Sequence, residues 1–358
     1  MASEAEGCWF DPSQSHQIRP MYPTISIWLA VAFILGGLVA LAWSSDAFVD
    51  GAAAVARKLG ISPFIVGMVI IGFGTCAPEF CVSVFSGASG HVNLSVGNAY
   101  GSCIFNILGV LGVSALVAPL VVKPTISYLA APLLTLTALI SFFVLRDENL
   151  SAANAWTLLA VFAVAMPIYC WADGRGGSSA DAAPAAAAGP WKIAFDLVAG
   201  FVVMVGASHL LVWGSVGVAK AFGASELMIG LTIVAIGTSL PELATAVQSA
   251  RKGESDLVLG NIVGSNLFNV LVVVGTAGVI CPFEKAMTLP DYEPLSPYVL
   301  TRDLPILIAV SALLAVFGAN WRRPRENGSI SRLAGAAWVL VFIGYMVVMV
   351  CQEISSNG

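Results

Sequence analysis

The chain is short of charge. Only 10% of its 358 residues are Asp, Glu, Lys or Arg, and three are His, whereas soluble domains carry about 25% charged residues. That excludes a water-facing enzyme and a disordered chain over most of the length. Basic residues are the scarcer sign, 16 Lys and Arg against 21 Asp and Glu, so a nucleic-acid footprint is missing and no nucleic-acid partner is expected. The seven cysteines are scattered and form no C-x-x-C pair, which argues against both a disulfide framework and a zinc site.

Apolar residues make up 58% of the chain. They recur in stretches near 26–43, 61–86, 94–118, 126–145 and 154–172, then near 191–216, 226–250, 257–280, 303–319 and 331–351. A helix needs about 20 such residues to cross hydrocarbon, so the pattern predicts an all-α polytopic membrane protein with about ten transmembrane helices. Its expected partner is the lipid bilayer, and no obligate protein partner is evident. Residues 1–25 read as a polar N-terminal segment. Residues 173–190, rich in Gly, Ala, Ser and Pro, read as a flexible cytoplasmic linker between five-helix repeats at 26–172 and 191–351.

The two halves are copies. Adding 163 to a first-half number finds its partner without a gap: Gly67 and Gly230, Thr75 and Thr238, Pro78 and Pro241, Glu79 and Glu242, Gly97 and Gly260, Asn98 and Asn261, Gly101 and Gly264, Ser102 and Ser265, Asn106 and Asn269. Five spans per copy is an odd number, so the second copy enters the membrane in the opposite sense. Inverted repeats of this kind build secondary transporters, with the site near the midplane. The Lys and Arg bias among the loops places both termini outside and the linker inside, in a plasma (inner) membrane.

Each copy carries one carboxylate inside a span, in Gly72-Phe73-Gly74-Thr75-Cys76-Ala77-Pro78-Glu79 and in Ala235-Ile236-Gly237-Thr238-Ser239-Leu240-Pro241-Glu242. A charge at that depth costs at least ~2.5–3.5 kcal/mol, and no Lys or Arg lies in the neighbouring apolar segments to pair with it. A bound cation is the economical partner. Pro78 and Pro241 lack an N–H and release the carbonyls of Gly74 and Gly237, while Thr75, Thr238 and Ser239 bring hydroxyls one turn before each Glu. In the next span of each copy, Ser102 and Asn106, and Ser265 and Asn269, stand four apart on one helix face. Carboxylate, carbonyl, hydroxyl and amide oxygen is the ligand set of a hard cation. Asp46 and His209 share the same offset but fall at span ends and read as structural or interfacial. An intramembrane serine hydrolase needs a base beside its Ser, and the position of His209 argues against it.

These two motif pairs resemble the alpha-1 and alpha-2 repeats of the sodium/calcium exchangers, within the cation/calcium antiporter superfamily, and especially its short prokaryotic members. The alpha-1 motif falls in 72–112 and the alpha-2 motif in 235–275. The resemblance implies a secondary transporter, not an enzyme, with no cofactor, exchanging Ca²⁺ for Na⁺ by alternating access and extruding Ca²⁺. It implies Glu79 and Glu242 as the central carboxylates, with Thr75, Thr238, Ser239, Ser102, Ser265, Asn106 and Asn269 around them and backbone oxygens near Gly72 and Ala235. Three departures stand out. Cys76 takes a position that is usually Ser, Asn269 one that is Asp in several members, including potassium-dependent ones, and the linker is too short for a calcium-sensing domain. Ca²⁺/H⁺ antiport and a passive cation channel are the alternatives.

Overall fold

The computed structural model describes residues 25–88, 92–175, 189–221, 235–286 and 295–356. Its helices are α1 (Ile27–Leu59), α2 (Pro63–Thr75 and Ala77–Ala88), α3 (Ser95–Val117), α4 (Ile126–Val144), α5 (Ala152–Arg175), α6 (Pro190–Ala221), α7 (Ala235–Thr238 and Leu240–Arg251), α8 (Ser255–Ile280), α9 (Val299–Gly318) and α10 (Arg332–Ser356). Eight are long and apolar enough to cross a bilayer, and the bent α2 makes a ninth. Residues 1–24, linker residues 176–188 and residues 222–234, where the predicted 226–250 span starts, lie outside the described set. The architecture is a ten-helix inverted repeat.

Local chemistry sets the helix ends. Ser26 accepts a hydrogen bond from the Leu29 N–H and opens α1, and Gly60, at φ 63°, closes it in the left-handed region where a side chain is disfavoured. Ser62 then caps α2, with Pro63 in its first turn. α1 runs well past the 26–43 stretch because Asp46 and Asp50, which interrupt the apolar run, both pair with Lys252, at 2.7 and 2.9 Å. α9 likewise begins four residues early. Arg302 Nε lies 2.7 Å from the neighbouring Asp303, and Tyr345 donates to that same carboxylate at 3.1 Å, so a matched pair enters the helix where a lone charge would not.

Contacts between loops sort into two ends. At one end Arg57 approaches Glu254 at 4.0 Å, Lys123 pairs with Asp256 at 2.6 Å, and strand β1 (Leu120–Val122) runs antiparallel to β2 (Gly328–Ile330). At the other, the Ser296 N–H donates to Asn93 Oδ1 at 2.8 Å and the Phe283 N–H to the Leu150 carbonyl at 3.0 Å. This sorting requires each successive helix to cross from one end to the other. Among the described residues the small β1–β2 ribbon is the one departure from an all-helical reading.

The copies enter in opposite senses, as the repeat predicts. Gly37 of α1 packs on Leu211 of α6, and Gly51 on Leu197, so residue numbers rise along one helix as they fall along the other. These two helices share an apolar cluster around Phe48, Val49, Ala52, Met204 and Leu211, which Val66 and Ile71 of α2 and Leu257 of α8 join, beside the larger core of the bundle. At the centre stand α3 and α8, with 78% and 89% of their apolar stretches buried, against 22% for α1 and α10. The outer helices turn Trp28, Val39, Val198 and Leu340 outward, as lipid-facing surfaces do. The central pair carries the Gly-Asn and Gly-Ser motifs.

Candidate cation site

Both motif helices break at the same repeat position. α2 is interrupted at Cys76 and bends by 44°, and α7 is interrupted at Ser239, whose φ and ψ of -95° and 15° leave the helical region. Each break falls two residues before a proline that cannot supply the next helical N–H. At the second break the Gly237 carbonyl accepts instead from Ser208 of α6 at 2.8 Å. The residues that follow place Glu79 and Glu242 at the start of the second half-helices, both fully buried.

The neighbouring helix holds each break in the same way. Asn98 donates its Nδ2 to the backbone carbonyl of Glu79 at 3.4 Å, and its copy Asn261 donates to the carbonyl of Glu242 at 3.4 Å. A separate close approach joins the two copies. A Cβ on Gly264 would lie 2.7 Å from Met68 Cα, and one on Gly260 2.9 Å from the Met68 nitrogen, so α8 and α2 cross almost backbone to backbone.

Around the Glu79 carboxylate, Ser239 donates to Oε1 at 2.7 Å and Ser102 at 3.4 Å, with 3.1 Å between the two hydroxyls. Three helices from both copies meet there. Thr75 and Ser265 both donate to the Gly72 carbonyl, at 3.4 and 3.2 Å, and both approach Asn261 Oδ1, at 3.4 and 3.3 Å. Asn106 begins a wider, π-type turn in α3 and Asn269 is the second residue of one in α8, a local geometry often found at functional sites. Asn106 Nδ2 donates to Asn266 Oδ1 at 3.1 Å. Thr238 is half-buried next to Ser239, and Ala235 opens the described part of α7.

The two carboxylates are not equivalent. The copy of Ser239 in the first half is Cys76, whose thiol contacts the Ser265 carbonyl at 3.7 Å. Ser265, the copy of Ser102, is turned to Gly72. Glu242 therefore has Thr75 and Cys76 beside it, but neither of its oxygens makes a hydrogen bond. Glu79 Oε2, Asn106 Oδ1 and both polar atoms of Asn269 are likewise buried without a partner. Buried oxygens left unpaired are costly, above all on a carboxylate. Their concentration around two acids fits a hard cation that takes oxygen ligands. Among the described residues no cluster of three His, Cys, Asp or Glu exists, so the set is not that of a zinc centre.

Asn98, Asn261 and Asn266 are the residues that sequence reasoning left out. The first two were legible as a pair at the repeat offset. Asn266 was not, because its copy is Cys103 and the mismatch hides it.

The profile described as sodium/calcium exchanger protein matches residues 29–171 and 193–351, which are the two copies without the linker. The chain belongs to the sodium/calcium exchanger family. Among its relatives, the candidate antiporter CaxA of Alkalimonas amylolytica is 37% identical over 90% of this chain and 98% of its own length. The sodium/calcium exchanger MaX1 of Methanosarcina acetivorans is 26% identical over 88% of this chain and 97% of its own. The solved structure of the sodium-calcium exchanger NCX_Mj soaked with Na⁺ and Sr²⁺ superposes with a TM-score of 0.74 at 27% identity, covering 90% of this chain and 99% of that one. Family membership makes this chain an integral membrane transporter of the short prokaryotic type.

Within this exchanger fold the Cys76 difference has a measurable consequence. Cys76→Ser supplies Glu242 with the hydroxyl that Ser239 supplies to Glu79, replacing a weak sulfur donor and acceptor by a hard one. Ca²⁺ affinity of the purified protein is expected to rise about three- to tenfold, the scale of one net hydrogen bond or ligand contact. Equilibrium binding of radiolabelled Ca²⁺ measures it, and an affinity that falls would contradict the placement of Cys76 beside Glu242.

Proposed function

We propose that this exchanger moves Ca²⁺ out of the cytoplasm against incoming Na⁺ by alternating access at the Glu79–Glu242 site. The observation that carries the reading is the set of buried, unpartnered oxygens on Glu79, Glu242, Asn106 and Asn269. Two carboxylates carry a charge of about -2 when ionised, which one Ca²⁺ or at least two Na⁺ neutralise, so the two ions compete for one place. Competition without co-occupancy is what exchange requires. Hydroxyl and amide oxygens in the ring support a second metal ion over a proton, because a proton needs no ligand shell.

The close packing of α1 on α6, with Gly37 on Leu211 and Gly51 on Leu197, supports their movement as a pair against the bundle that holds the site. The end of the molecule formed by the α1–α2, α3–α4, α7–α8 and α9–α10 loops carries Arg57, Lys58, Lys123, Arg251, Lys252, Arg322, Arg323, Arg325 and Arg332, whereas the other end carries Arg146, Lys220, Lys285 and Arg302. By the positive-inside bias the first end is cytoplasmic and both termini lie outside. The names of MaX1 and NCX_Mj as sodium/calcium exchangers support the pairing of ions.

Uptake of radiolabelled Ca²⁺ into proteoliposomes loaded with Na⁺ tests this. Uptake is expected only with Na⁺ inside and is expected to stop when the Na⁺ gradient is collapsed. Uptake driven by an outward H⁺ gradient alone would transfer the same residues to Ca²⁺/H⁺ exchange, and uptake indifferent to any counter-ion would indicate a channel.

A further inference from the structure

Asn266 lies outside the ring of oxygens, yet it sits on the symmetry element of the molecule. Its Nδ2 donates to the Cys103 carbonyl at 3.3 Å, and the Cys103 thiol reaches the Asn266 carbonyl at 3.7 Å. The two residues are 163 apart, which is the repeat offset, so each is bonded to its own copy and the pair marks the axis that relates the halves. Both side chains are fully buried.

We infer that Asn266 is a positioning residue that fixes the amide of Asn106 with its oxygen toward the cation site. The argument is one of hydrogen-bond polarity. A backbone carbonyl only accepts, so the Asn266 amide must turn its Nδ2 to Cys103 and its Oδ1 the other way. That oxygen accepts from Asn106 Nδ2 at 3.1 Å. The Asn106 amide is thereby locked with Oδ1 as its free end, and that atom is buried without any partner. An Asn turned the other way would present N–H groups, which repel a cation. The polarity set at one main-chain oxygen is thus transmitted through two amides to the site.

The other half lacks this device. The copy of Asn266 is Cys103, which lies beside Asn269, the copy of Asn106, and offers only a weakly accepting sulfur. Neither amide atom of Asn269 has an oxygen or nitrogen partner, and the sulfur is its one weak neighbour. One amide of the site is therefore preset as an acceptor, and the other is held only by a weak sulfur contact.

The inference rests on the cation-site reading, and a double-mutant cycle on Ca²⁺ binding separates the two. Wild-type protein must first bind radiolabelled Ca²⁺; if it does not, the site reading itself fails. Given binding, Asn266→Ala is expected to weaken Ca²⁺ affinity about tenfold in the Asn106 background, the scale of one lost oriented ligand. In an Asn106→Asp background the same change is expected to have little effect, because a carboxylate has no wrong way round. An equal loss in both backgrounds would make Asn266 merely structural and overturn the proposal. Cys103→Asn examines the device from the other half and covers the case where Asn266→Ala does not fold. It is expected to orient Asn269 and tighten Ca²⁺ binding several-fold, and an unchanged affinity there would also overturn the proposal.

Discussion

Replacing either Glu79 or Glu242 by Gln is expected to abolish Ca²⁺ exchange in proteoliposomes while leaving a protein that inserts and purifies. Each carboxylate is fully buried, so its attraction for a bound ion is little screened. At an effective dielectric of about 20, a unit charge pair 4 Å apart is worth roughly 4 kcal/mol, and a divalent ion doubles it. Desolvation takes back a large part, yet a loss of at least about 100-fold in affinity remains. The two variants are expected to differ in stability. Glu79→Gln disturbs the 2.7 Å hydrogen bond from Ser239, whereas neither oxygen of Glu242 has a hydrogen-bond partner. Glu242→Gln removes a buried charge that lacks such a partner, so the melting temperature of the ion-free protein is expected to rise in that variant and to fall in Glu79→Gln. Exchange retained in both variants would remove the two acids from the site.

Gly264→Val is expected to have an equally large effect by a different route. A Cβ there would be 2.7 Å from Met68 Cα and 2.8 Å from its carbonyl carbon. These are main-chain atoms that cannot rotate aside, so α8 must retreat from α2. The retreat breaks the bond from Ser265 to the Gly72 carbonyl and separates Thr75 from Asn261. Overpacking of a tight contact typically costs about 1–3 kcal/mol, and broken buried hydrogen bonds add to it. The variant is expected to elute as aggregate in size-exclusion chromatography after detergent extraction. Gly344→Val on α10, where a Cβ meets no heavy atom within 4 Å, is the control expected to elute as wild type. Normal elution of Gly264→Val would show that α2 and α8 are not packed this closely.

Much of this molecule is legible in the sequence because its strongest signals are covalent and periodic. The 163-residue offset exposes the repeat, apolar runs locate the helices, and two acids without basic partners mark the middle of each copy. The rest depends on which way a side chain turns. Ser102 and Ser265 are the same residue at the same repeat position, yet one donates to Glu79 and the other to Gly72. Nothing in composition or spacing distinguishes them. The asymmetry follows from packing and from Cys76, whose sulfur cannot do what the Ser239 hydroxyl does. The extent of α1 was hidden for another reason. Asp46 and Asp50 read as the end of an apolar run, and only the arrival of Lys252 from the α7–α8 turn shows why the helix continues. Asn266 stayed out of view because its role is a relation to Cys103 and Asn106, which lie 163 and 160 residues away.

The central claim is that one site serves both ions. Equilibrium binding of radiolabelled Ca²⁺ to the purified protein, titrated with Na⁺ at constant ionic strength, tests it most directly. Complete displacement of Ca²⁺, with a dependence on Na⁺ steeper than one-for-one, is the predicted result. Ca²⁺ that stays bound at saturating Na⁺ would contradict it.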